Sequence, residues 1–188
     1  MKLTRFLPPA AMAALLYGCG SMSSPQPQRV EGPSATISET GIQNGRTEVD
    51  MFVVTQVDGN DVRTSMDNTR AQNSGMGIGI VPVYVDHTVP ARPITVTIMG
   101  HSYHGAPILS MLNPEYEVSG TVNFAPAPNL FYEVKGTLSA HYSAVWIEEA
   151  ATGRIMGKKI EIHRSAALGF FQQVTRKFKT REMARQAG

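Results

Sequence analysis

From Glu48 to Ile162 the apolar residues recur at every second position, and this period restricts the fold more than any other feature of the chain. Alternation at two puts one row of side chains on each face of an extended strand, whereas an amphipathic helix needs spacings of three and four. Val49, Met51, Val53, Thr55 and Val57 fall on one face. Asp58-Gly59-Asn60-Asp61 then signals a turn, from which Val62 to Met66 is expected to return as a hairpin partner. Residues 67–79, rich in Asn, Gln, Ser and Gly, read as a loop. Ile80 to Val85 reads as a short strand that Pro82 confines to an edge.

Further along, Ile94, Val96 and Ile98 point inward with Thr95 and Thr97 outward. Tyr116, Val118, Val122 and Phe124 share one face of the clearest strand, which Pro126-Ala127-Pro128-Asn129 ends. Phe131 to Leu138, Tyr142 to Glu148 and Arg154 to Ile162 complete the series. About seven or eight short strands with turn signals between them predict a mainly β domain over residues 47–162, an antiparallel immunoglobulin-like β-sandwich. No helical stretch long enough for a parallel crossover separates the strands. Residues 163–188 differ: Phe170, Phe171, Val174 and Phe178 have helical spacing and six basic residues face one acid, a local charge of +5. A short amphipathic helix and a basic tail are expected there. Its phenylalanines would pack on the sheet, or its basic face would touch anionic lipid headgroups.

The other informative region is the N-terminus. Lys2 and Arg5 precede an apolar run from Phe6 to Tyr17, 12 residues long. A membrane-spanning helix needs about 20, so the run suits a signal peptide over residues 1–18. It ends in Leu16-Tyr17-Gly18-Cys19, which resembles the bacterial lipobox. That resemblance implies lipidation of the Cys19 thiol and cleavage between Gly18 and Cys19. The partner of the mature chain would then be membrane lipid, held through the acylated Cys19. Gly20 in place of an aspartate implies sorting to the outer membrane, with the protein facing the periplasm or the cell surface. Residues 19–46, opening with Ser21-Met22-Ser23-Ser24-Pro25-Gln26-Pro27, read as the lipidated N-terminus and a flexible linker.

Composition then narrows function. Cys19 is the single cysteine, so no intramolecular disulfide can hold the domain and its core must do so. Removing Lys2 and Arg5 leaves 15 basic and 15 acidic residues, a balance that argues against nucleic-acid binding driven by charge. Gly100-His101-Ser102-Tyr103-His104-Gly105 has one residue too many for a G-x-S-x-G nucleophile elbow, and Ala106-Pro107-Ile108 is expected to follow it in place of a helix. His101 and His104, three apart, diverge on a strand and converge on a metal only from a loop or helix. Glu148 and Glu149 are adjacent and diverge likewise. Gly75-Met76-Gly77-Ile78-Gly79 lacks the second half of a dinucleotide fingerprint. Trp146 reads as packing beside Tyr142 in preference to a ligand-stacking ring. No catalytic, cofactor or metal site follows from these residues.

Four segments carry a resemblance: Thr55-Gln56-Val57-Asp58-Gly59, Val89 to Thr97, Asn123 to Gly136, and Val145-Trp146-Ile147-Glu148-Glu149 with Thr152-Gly153. Together they look like proteobacterial lipoproteins with a PEGA-like or carboxypeptidase-regulatory-like β-sandwich module. Arg92 and Asn129 stand where that pattern has glycine. The resemblance implies a non-catalytic envelope module that binds a protein or glycan, or scaffolds an assembly, through loops such as 99–113. The competing expectation is a small envelope hydrolase or metal-dependent enzyme using the His101–His104 loop.

Overall fold

A computed structural model describes residues 30–164. The Gly18–Cys19 cleavage and lipidation site, and the helix expected after residue 163, lie outside the described residues. Ten strands and two helices are present among the described residues: β1 (Ser34–Ser38), β2 (Thr40–Gln43), β3 (Glu48–Val57), β4 (Asn60–Asp61), α1 (Ser65–Asn73), β5 (Asp86–Pro90), β6 (Ile94–His104), α2 (Pro107–Leu112), β7 (Glu117–Phe124), β8 (Phe131–Thr137), β9 (Tyr142–Glu149) and β10 (Ile155–His163).

The strands form a β-sandwich. One sheet runs β10-β9-β8-β1-β5, and the other runs β2-β3-β6-β7 with β4 beside β3. All pairings are antiparallel except β1 with β8. Between the sheets lie the inward rows that the alternation marks out: Ile94, Val96 and Ile98 from β6, Val118, Val122 and Phe124 from β7, and Tyr132 and Val134 from β8. Phe124 meets the Tyr132 ring edge-on at 5.4 Å, and the Tyr132 hydroxyl accepts the Ala127 N–H at 2.9 Å. This aromatic pair ties the β7–β8 turn to the core.

The segment expected as a linker contributes β1 and β2. Ala35 and Ile37 point into the core, an alternation that the intervening serines and threonines disguise. The chain crosses from one sheet to the other at Glu39, so the domain begins near residue 34 and not 47. Squeezed between β8 and β5, β1 runs parallel to β8, which makes the sandwich less uniformly antiparallel than expected.

β3 is buried on both faces, with Met51, Phe52, Val53 and Val54 all enclosed. Phe52 and Val54 enter the inter-sheet core, while Val49, Met51 and Val53 join Ile80, Met66, Met99 and Tyr103 in a second cluster on the outer side. A register shift between Val54 and Gln56 turns Val57 back into the main core, so it does not share the face of Val49.

The outer cluster is covered by α1 and the chain that follows it, in place of the expected loop. The hairpin at Asp58-Gly59 returns for only two residues. Thr64 then starts α1 through a capping box with Asp67. Residues 80–85, expected as a strand, pair with no strand. Instead Val81, Val83 and Val85 donate their N–H groups to Asn73, Thr69 and Ser65, each at 2.9 Å. Those three side chains are four residues apart and line one face of α1, so a helix serves as the extended segment's partner. Pro82, without an N–H, takes none of these bonds.

Candidate functional site

At one end of the sandwich, a cleft of about 680 Å³ opens between the end of α1, the glycine-rich turn after it, the end of β6 and the start of α2. β6 forms its floor. The strand continues through His104, so His101 and His104 are strand residues and not loop residues. His101 follows the outward parity of Met99 and Tyr103, and His104 the inward parity of Ser102. Because the strand ends at His104, the cleft wraps round its terminus and both histidines line it. Gly105 lets this corner form, because a Cβ there would lie 2.1 Å from the Ile78 carbonyl oxygen. α2 starts at Pro107, where the sequence predicts no helix; the proline sits in its first turn.

Polar groups around the corner are otherwise paired. The Ser102 hydroxyl, fully buried, donates to Asp50 at 2.7 Å, and Asn44 donates to the other carboxylate oxygen at 2.9 Å. A serine that gives its proton to a carboxylate and has no exposed oxygen cannot attack a substrate. The corner therefore has the residue types of a nucleophilic triad without its geometry. The histidines differ from their neighbours. Nε2 of His104 is buried without a hydrogen-bond partner, and so is Nδ1 of His101, which lies 3.4 Å from Glu117 Oε2 without hydrogen-bond geometry. Both nitrogens lie beneath the surface of residues that line the cleft, and each is short of a hydrogen bond. Arg70, Tyr103, Ser110 and Glu115 complete a lining of mixed polar and apolar surface. Among the described residues no three of His, Cys, Asp and Glu gather as a metal ion would require.

The remaining candidates disperse. Glu148 and Glu149 diverge as their adjacency requires: Glu148 accepts the Trp146 indole N–H at 2.7 Å, while Glu149 binds Arg154 at 3.1 Å. Trp146 is half-buried on the outer face of its sheet, with the Lys159 ammonium 4.7 Å from its ring centre. The Tyr142 hydroxyl, then Glu161, holds that ammonium above its ordinary pKa range. The indole face is thus covered by a side chain of its own domain. Gly75 and Gly77 take positive φ in the turn after α1, so this glycine run serves chain reversal.

Sequence reasoning missed Glu39. Its side chain is fully buried, accepts the Val54 N–H at 2.8 Å and the Ser65 N–H, and meets His87 Nε2 at 2.7 Å. The available signal was its place in the row Ala35, Ile37, Glu39, where an acid ends an apolar alternation. No protein-family description, curated protein or solved structure matches this chain. No described helix is long and apolar enough to cross a membrane.

Proposed function

We propose that this chain is a lipid-anchored cell-envelope module that binds a protein or glycan partner without catalysis, through the cleft at the β6–α2 corner. The observation that carries the reading is the cleft itself, whose wall gathers the side chains of Arg70, His101, His104, Ser110 and Glu115. This mixed lining offers donors and acceptors to a partner's hydroxyl, amide or carboxyl groups. The occupied Ser102 hydroxyl favours binding over the hydrolase alternative. The lipobox at Gly18-Cys19 supports tethering to the outer membrane, and the PEGA-like resemblance points to the same kind of module.

Thermal-shift titration of the mature chain against envelope glycan fragments and peptides tests the cleft, repeated with Ser110→Trp to fill its mouth. A ligand that stabilises the wild type and not the variant is the expected result. A ligand that stabilises both equally would place binding elsewhere. The anchor is tested separately by acyl-lipid labelling, which Cys19→Ser is expected to abolish. Undiminished labelling would overturn it.

A further inference from the structure

α2 is turned inside out. Pro107 and Ser110 face the cleft, whereas Ile108, Met111 and Leu112 project into solvent with 56%, 69% and 74% of their surface exposed. At spacings of three and four these form one apolar stripe, and α2 buries no residue of its own. A helix that presents its apolar stripe to water lacks a covering element.

The described chain ends against the start of β7, which follows α2 after a segment of four residues, 113–116. Arg164 donates to the Glu117 carbonyl at 2.6 Å, and its guanidinium lies 6.0 Å from the Tyr116 ring centre. Glu117 is the cross-strand partner of His101, and Glu115, two residues earlier, lines the cleft from which α2 rises. Residues 165–169 reach roughly 17 Å when extended. Beyond them Phe170, Phe171, Val174 and Phe178 recur at helical spacing, followed by Lys177, Lys179 and Arg181 among other basic residues. We propose that residues 170–178 dock on α2, packing the phenylalanines on Ile108, Met111 and Leu112. The place where the described chain ends and the reach of residues 165–169 favour this occupant. The inference rests on the apolar stripe of α2 and not on the cleft, so it stands whether or not the cleft binds a ligand.

Hydrogen–deuterium exchange on the full mature chain carrying Cys19→Ser tests the docking. Amides of residues 107–112 are expected to exchange at least about tenfold faster in Phe170→Asp/Phe171→Asp than in the parent, with β6 amides unchanged as the control for folding. Equal exchange at 107–112 in both proteins would overturn the proposal. Met111→Cys with Phe171→Cys gives an independent test in the same cysteine-free background. An intramolecular disulfide at low protein concentration is expected, whereas crosslinks formed only between chains would assign the stripe to a second copy. Protection of 107–112 that appears only on adding anionic vesicles would assign it to lipid, also against the proposal.

Discussion

Glu39 and His87 meet 2.7 Å apart at the point where the N-terminal strand leaves one sheet for the other. The carboxylate also accepts N–H groups from Val54 in the middle of β3 and from Ser65 in the first turn of α1. One buried side chain thus joins both sheets and the helix that covers the outer face of β3. The side chain is tolerated there with no exposure because each oxygen is occupied by a donor.

Glu39→Ala leaves two backbone donors and His87 without an acceptor and is expected to destabilise the domain by about 3–5 kcal/mol. His87→Ala removes one of the three partners and is expected to have a smaller effect, about 1–2 kcal/mol. Urea unfolding of both variants measures this order. A Glu39→Ala protein within about 1 kcal/mol of the wild type would contradict the assigned role.

The Asp58–Gly59 turn gives a pH-dependent prediction. Both residues have positive φ, 49° and 77°, as the tight hairpin between β3 and β4 requires. The Thr95 N–H, and then Arg92 at 2.7 Å, hold the Asp58 carboxyl below its ordinary value of 3.8. A lowered folded-state pKa means that the charged form stabilises the fold above the unfolded value, and that this contribution is lost as pH falls through the folded value. The pair is partly exposed, so the contribution stays below about 1 kcal/mol. Asp58→Asn keeps the acceptor for Thr95 and removes the charge. Its deficit relative to wild type in urea unfolding is expected at neutral pH and should shrink in acid, as the pH falls through the folded value. A deficit of the same size at neutral pH and in acid would show that the charge is not its source.

Asn129, in the turn between β7 and β8, has a φ of 61°, in the left-handed region. Pro128 before it and the Leu130 N–H to the Ala127 carbonyl complete a turn with the sequence signature of type II. Asparagine tolerates the left-handed region and most other residues do not. Asn129→Gly is expected to change stability by less than about 1 kcal/mol, and Asn129→Val to cost about 1–2 kcal/mol or more. Equal melting temperatures for the two variants would contradict this.

Gly136 packs directly beneath Phe52. A Cβ there would lie 2.3 Å from the Phe52 ring and 2.6 Å from the Ala144 carbonyl oxygen. The oxygen belongs to the backbone and cannot swing aside. Gly136→Ala is therefore expected to cost about 1–3 kcal/mol, by the overpacking that adds atoms to a filled core. An unchanged unfolding midpoint would show that the two sheets have slack at this level.

The sandwich itself was legible because β6, β7 and β8 alternate cleanly, with Ile94, Val96, Ile98, Val118, Val122 and Tyr132 all on the expected inner face. β1 was not legible. Only Ala35 and Ile37 mark its inner row, and Glu39 interrupts it where an apolar residue would have continued the period. α1 was hidden for another reason. Ser65, Thr69 and Asn73 face the protein in place of an apolar stripe, so the helix shows no amphipathic pattern. The cleft was foreseen only as a loop region. That β6 extends through His104 depends on its pairing with β3, and such long-range pairing leaves no local signature.

We propose the β6–α2 corner as the place where this module meets its partner. The most direct test places a photo-reactive residue at Ser110 on the cleft wall, or at Thr152 in the exposed β9–β10 turn at the far end of the sandwich. Each full-length chain is then irradiated in intact cells, and its crosslinked adducts are captured. A discrete adduct from position 110 that is absent from position 152, and lost on His101→Ala/His104→Ala, is the predicted result. Adducts that are the same from both positions, or unaffected by the histidine substitutions, would contradict it.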